Sequence, residues 1–207
     1  MPATPPRTTA SRTFPDALEL TDGRLLLRRW QETDAEPLFD AARESVASVA
    51  RWLPWCHANY QLLEAVAWIA HCRAHWQAAD HLALPIFDAL TGELLGAVGL
   101  NQFITAHHSA NLGDWVRQSR QRQGIAAAAV RLVARFGFEQ LGLARIEIVA
   151  LPDNLASRRT AEKLGAQFET IARHRLCVDG QPCDAAVYAL IPADLSQAAG
   201  AQERARS

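Results

Sequence analysis

The stretch Gly113-Asp-Trp-Val-Arg-Gln-Ser-Arg-Gln-Arg-Gln-Gly-Ile-Ala126 passes from an alternating apolar pattern through a polar loop into a helical one. No other segment constrains the architecture as much. A helix opening directly off a strand end presents first-turn N–H groups that lack an intrahelical acceptor, together with the positive end of its dipole. Gln121-x-x-Gly124-x-Ala126 stands at that junction, and a pyrophosphate is the natural occupant of such a place. Gly124 removes a Cβ from the path of the phosphates, and Ala126, Ala127, Ala128 and Ala129 keep the helix start slim. Arg117, Arg120 and Arg122 offer planar cations to neutralise phosphate. The same spacing also suits a capped surface helix whose arginines are solvated. Two other phosphate motifs fail: there is no G-x-x-x-x-G-K-[ST], and Gly92-x-x-x-Gly96-x-x-Gly99 is not G-x-G-x-x-G and opens a hairpin strand.

Apolar periodicity predicts the remaining elements. Residues 24–30 read as a strand, and Thr33-x-x-Glu36 reads as a capping box opening a helix over 34–45, with Pro37 tolerated in its first turn. The aromatic loop Arg51-Trp-Leu-Pro-Trp55 leads to a second helix over 62–79, with Leu62, Val66, Ile69 and Ala70 on one face. Residues 82–87, 94–103 and 110–117 read as an antiparallel meander. A helix over 124–140 ends near Gly142, and a strand over 145–150 follows. Asn154 caps a helix that stops at Gly165, and residues 168–178 and 184–191 close as a hairpin on Asp179-Gly180. Hairpins combined with a single crossover make an α+β domain over residues 18–195. Residues 1–17 and 196–207 are small and polar and read as disordered tails.

Composition narrows the partners. A net charge of −1 with 21% charged residues provides neither the basic excess that a nucleic-acid polymer requires nor an acidic tail. The first residues lack an apolar leader core, and the longest near-apolar run is short and broken by Arg131, so no membrane partner is expected and the cytoplasm is the expected location. Cys56, Cys72, Cys177 and Cys183 show no C-x-x-C spacing, which fits reduced thiols. His71 and His75 lie four apart on a helix without a third spaced ligand, so they read as a polar face and no metal is expected.

Four motifs in order, Arg24-Leu-Leu-Leu-Arg28, Ala110-Asn-Leu-Gly-Asp-Trp-Val116, Gln121-Arg-Gln-Gly-Ile-Ala126 and Asn154-Leu-Ala-Ser157 followed by Ala161-Glu-Lys-Leu-Gly165, resemble the GNAT superfamily of N-acetyltransferases and its RimJ/RimL-like branch. The resemblance covers residues 20–195. It implies a mixed, mostly antiparallel seven-stranded sheet with a splayed central strand pair and about four helices. The strands over 110–117 and 145–150 would part, and pantetheine would lie between them with its amides on backbone near Trp115 and Val116. Gln121, Arg122, Gln123, Gly124, Ile125, Ala126 and Ala127 would cradle the pyrophosphate beside Arg117, and Asn154 and Ser157 would face it from the other wall. Acetyl-CoA is then the cosubstrate, and its partner is an amine acceptor.

Direct transfer needs a neutral amine, a donor for the oxyanion and a proton for the departing thiolate, with no covalent enzyme intermediate. The Val116 N–H is the expected oxyanion donor. Ser157 matches a position where the branch carries a hydroxyl near the sulfur; first-turn capping is its other reading. Relatives carry an acidic residue where this chain has Asn111 and an aromatic where it has Asp114. Asp114 is the nearest carboxylate in sequence to the site, His107 and His108 titrate in the useful range, and ordered water suffices for an α-amine with a pKa of about 8. Trp52 and Trp55 flank Pro54 either as an aromatic wall for the acceptor or as core packing. Glu147, between Ile146 and Ile148, receives no role. The expected function is acetylation of a primary amine, a peptide N-terminus or a small aminoacyl compound. A catalytically silent acyl-CoA sensor on the same scaffold is the alternative, and a homodimer stays open.

Overall fold

The computed structural model describes residues 12–195. β1 (Glu19–Thr21) and β2 (Leu25–Arg28) form a hairpin, followed by α1 (Ala35–Val49) and α2 (Leu62–Ala78). β3 (Leu82–Asp88), β4 (Leu94–Ile104) and β5 (Ser109–Val116) make the meander, and α3 (Ile125–Glu139) crosses over to β6 (Arg145–Ala150). α4 (Leu155–Lys163) leads into the closing hairpin of β7 (Gln167–Val178) and β8 (Gln181–Leu190). All eight strands join one sheet in the order β1-β2-β3-β4-β5-β6-β8-β7. β5 and β6 run parallel, and the other neighbours are antiparallel.

Helices cover the sheet on both faces. Leu84, Leu100, Leu112, Ile146 and Tyr188 pack with Ile125, Ala129, Val133 and Ala161 of α3 and α4. Ala83, Phe87 and Leu94 pack on the opposite face with Leu38, Ala41, Ala65, Ile69 and Cys72 of α1 and α2. Each buried leucine-sized side chain contributes roughly 1.5–3 kcal/mol, so these two layers fix the helices that frame the site. β6 shows its one-sided cover directly, with Ile146, Ile148 and Ala150 buried and Arg145, Glu147 and Val149 only partly so.

Four expectations need correction. Among the described residues the sheet has eight strands, not seven, because Asp22 Oδ1 accepts the N–H groups of Arg24 and Leu25 at 3.0 and 2.8 Å and turns the chain from β1 into β2. The capping box is not Thr33-x-x-Glu36: a 3-10 turn over Glu32–Asp34 precedes α1, and the buried Asp34 carboxylate accepts the Gln31 N–H at 2.8 Å while a bidentate Arg28 holds it. α2 buries Ala65, Ile69, Cys72 and Trp76 and exposes Leu62 and Val66, because a helix apolar on nearly every face has no single stripe for sequence to select. Residues 12–17 are not a tail: Phe14 is buried edge-on against Trp76 at 5.4 Å, and Arg12 donates to the Ala79 carbonyl at 3.2 Å. The rest of the expected tails, 1–11 and 196–207, lies outside the described residues.

Candidate active site

β5 and β6 pair from Ser109↔Arg145 to Leu112↔Ile148, and there the ladder stops. The Arg117 N–H donates to Leu95 O at 2.8 Å, which sets the phase of the β4–β5 ladder. Odd-numbered residues of β5 bond to β4, and even-numbered ones turn their N–H and C=O groups the other way. Beyond Leu112, the N–H and C=O of Asp114 and the N–H of Val116 therefore face an open gap, while Val116 O accepts Gln121 Nε2 at 3.1 Å. Trp115 bonds to β4 and turns its side chain toward α1 and α2, so Asp114, and not Trp115, offers backbone to the gap. A Cβ at Gly96 would lie 2.1 Å from Trp115 O; glycine there lets β4 press against β5 where β5 leaves β6.

Because β5 and β6 are parallel, the helices that follow them begin at the same sheet edge and flank the gap. In α3 the first intrahelical bond runs from Ala128 N to Gly124 O at 3.1 Å, so the N–H groups of Ile125, Ala126 and Ala127 have no acceptor within the helix. Gly124 has φ +77° and caps this helix; a Cβ there meets nothing within 4 Å, so the left-handed backbone is what requires glycine. In α4 the Asn154 Oδ1 accepts the Ser157 N–H at 3.2 Å, and the Ser157 hydroxyl makes no hydrogen bond among the described residues. Free amides at a positive helix end beside unpaired strand backbone fit a pyrophosphate joined to an amide-bearing arm. Arg122 is exposed there, and Arg24 reaches Gln123 O at 3.1 Å. Arg117 turns away from the cradle: its Nε donates to Glu44 at 3.1 Å and its Nη1 lies 3.2 Å from Glu93, which also holds Arg120. These two arginines brace the loop and are not free phosphate ligands.

Burial raises the Asp114 carboxyl to about 6; it keeps partial contact with solvent but lies desolvated at the rim of the gap, on the same face as Leu112 and Val116. On the opposite face Trp55, 37% exposed, meets Trp115 edge-on at 5.2 Å and Tyr60 at 5.9 Å. Trp52 lies apart under Arg51, which pairs with Asp153 and so ties the α1–α2 loop to the turn before α4. Just below the end of the β5–β6 ladder a cavity of about 90 Å³ is lined by Gln102, Ser109, Asn111, Glu147 and Arg175 among others. Asn111 stands in register with Glu147 and donates to Asn101 at 3.0 Å; Glu147 pairs with Arg145 at 2.9 Å and Arg175 at 3.6 Å.

Residues 24–167 match the acetyltransferase (GNAT) domain. The chain belongs to the GNAT family. The uncharacterized N-acetyltransferase YoaA of Bacillus subtilis is 32% identical over 173 residues, 83% of this chain and 96% of YoaA. RimJ of Mycobacterium smegmatis, solved in complex with CoA-disulfide, aligns with a TM-score of 0.79 at 25% identity over 90% of this chain and 92% of RimJ. RimL, the ribosomal L7/L12 alpha-N-protein acetyltransferase solved with coenzyme A, shares the fold with a TM-score of 0.75 at 21% identity, over 84% and 98%. The putative ribosomal N-acetyltransferase YdaF of Bacillus subtilis is 33% identical over 172 residues, 81% of this chain and 91% of YdaF. This GNAT chain is an acetyl-CoA-dependent acetyltransferase, and the silent-sensor alternative falls.

Within the GNAT frame the sequence candidates sort by position. His107 and His108 sit at the β4–β5 turn, at the far end of β5, roughly 20 Å of strand from Asp114. His71 and His75 lie ring to ring at 4.0 Å, but Cys56 is buried against Ala42 O and His57 faces Glu64. Among the described residues no group of three or more His, Cys, Asp or Glu is placed to hold a metal ion, and no helix is long and apolar enough to cross a membrane. Sequence reading missed Glu147 and Tyr60. Alternation marks Glu147 as half-exposed but says nothing of the neighbouring strand that puts it beside Asn111.

Proposed function

We propose that this acetyltransferase acetylates a primary amine entering from the α1/α2 face, either the N-terminal α-amine of a protein or a small aminoacyl compound. One observation carries the proposal: a gap in the sheet with two helix N-termini beside it and a half-exposed aromatic wall, Trp55–Trp115–Tyr60, on the opposite face. When bound, acetyl-CoA supplies the activated acetyl group. The N–H groups of Ile125, Ala126 and Ala127 hold its phosphates, with Gln121, Arg122, Gln123 and Gly124 forming the rest of the cradle. The Asp114 backbone receives the amides of its arm, and the Val116 N–H meets charge developing on the carbonyl oxygen. Asp114, ionised at neutral pH and still basic but on the α3/α4 face, takes the amine's proton across the gap through ordered water. The Ser157 hydroxyl, relieved of capping by Asn154, donates to the leaving thiolate. The aromatic wall seats the acceptor, with Trp55 the exposed member, while Trp52 stands apart from it under Arg51.

The likeness to the putative ribosomal N-acetyltransferase YdaF supports a protein amine. Polyamines fit less well, because Glu147 on the acceptor face is already paired with two arginines, Arg145 and Arg175. An acceptor screen that follows free thiol release over ribosomal N-terminal peptides, aminoacyl nucleotides, polyamines and aminoglycosides tests the reading. Fastest turnover is expected on one of the first two classes; fastest turnover on a polyamine overturns it.

A further inference from the structure

The loop between β5 and α3 is held from behind by α1. Glu44 Oε1 accepts the Ser119 N–H at 2.7 Å, and its Oε2 takes the Arg117 guanidinium through both Nε and Nη2. Ser45 Oγ, buried and itself donating to Ala41 O at 2.6 Å, accepts the Gln118 N–H at 3.0 Å. Ser48 Oγ accepts Gln121 Nε2 at 3.1 Å, and that same amide caps Val116 O. Residues 117, 118, 119 and 121 are thus each tied to one face of α1. Immediately beyond them the loop takes two left-handed residues, Arg122 at φ +62° and Gly124 at φ +77°, and α3 starts. An irregular loop with two backbone N–H groups held by side chains has its path set by those side chains, and the path decides where the free amides of Ile125, Ala126 and Ala127 point.

We infer that Glu44, supported by Ser45 and Ser48, is a positioning residue for the cosubstrate: it holds the loop so that the first turn of α3 meets the pyrophosphate already oriented. The inference rests on the cradle proposed above. Its physical content is preorganisation, in which ordering the loop in advance lowers what binding must supply. The Glu44 carboxyl is held down at about 2 by Arg117, so the tether stays charged throughout the working pH range. Glu44→Gln leaves a single acceptor oxygen where two are used, so either the Ser119 N–H or the Arg117 guanidinium faces an NH2 group instead, and the charge that holds Arg117 to α1 is gone.

Glu44→Gln and Ser48→Ala test this by calorimetric titration with CoA, and by turnover of acetyl-CoA against S-acetyl-N-acetylcysteamine, a thioester without the pyrophosphate. Glu44→Gln is expected to weaken CoA binding about tenfold and to raise the KM for acetyl-CoA equally, with kcat and the acceptor KM within about twofold, while the truncated thioester turns over as with wild type. Unchanged CoA affinity, or an equal loss on the truncated thioester, overturns the inference. Should Glu44→Gln fail to melt cooperatively, Ser48→Ala carries the test with an expected two- to threefold loss of roughly the same pattern, and unchanged CoA affinity there overturns it. Gly124→Glu separates the two readings: CoA binding that survives it removes the cradle itself, whereas loss in Gly124→Glu with none in Glu44→Gln removes only the α1 tether.

Discussion

At Asp114 a carboxyl lies on the unpaired part of β5, lifted by desolvation to about 6. The folded state therefore keeps this proton to higher pH than the unfolded chain, whose aspartates titrate near 3.8. Its contribution to stability is complete below about 3.8 and is lost as pH rises through about 6. Asp114→Asn should accordingly raise the melting temperature at pH 7.5 and leave it nearly unchanged at pH 4. Activity runs with the opposite sign: kcat/KM is expected to rise through about pH 6 in the wild type as the base ionises, and to lose that step in Asp114→Asn. Ser157→Ala should lower kcat on the order of a hundredfold with CoA affinity within about twofold, since a proton donor to the thiolate acts mainly in the transition state. A variant with normal turnover would return Ser157 to a purely structural place. Sequence left capping and acid catalysis open for this serine. Asn154, three residues earlier, accepts the Ser157 N–H, and this leaves the hydroxyl free for the acid role proposed above.

Two glycines in neighbouring elements illustrate different constraints. Gly96→Ala places a methyl 2.1 Å from a backbone oxygen of β5, which neither strand can yield without opening the ladder. Gly124→Ala meets no atom and bears only the left-handed backbone. The first should cost about 3 kcal/mol and the second about 1 kcal/mol, which for a chain of this size corresponds to roughly 6–12 °C and 2–4 °C of melting temperature. Comparable losses in the two variants would mean that β4 and β5 are less closely apposed than the Gly96 contact requires. Most elements were legible because their signals are local: the 145–150 strand, the Asp179-Gly180 turn and the Asn154 cap all stand where periodicity and turn chemistry put them. β1 escaped because three residues carry no period, and the buried face of α2 escaped because alanines and tryptophans surround it.

For the molecule as a whole, a cosubstrate that binds only the folded state should raise stability by about 2.7 kcal/mol at a hundred times its dissociation constant, roughly 5–10 °C in melting temperature. Absence of any shift with CoA would contradict the cradle. What stayed illegible at this scale was contact between distant segments: Glu44 with the loop 73 residues later, and Glu147 beside Asn111, both set by tertiary packing that no window of sequence contains. The sheet itself consists of a five-stranded and a three-stranded antiparallel half, sewn together by four parallel pairs. That seam is shorter than the β4–β5 and β6–β8 ladders on either side of it, so transient breathing should concentrate there, and a molecule lodged just above it and touching both banks would act as mortar. Deuterium uptake at backbone amides should slow on β5 and β6 together when CoA is added; slowing confined to α3 would mean that the ligand leans on one half and leaves the seam to open as before.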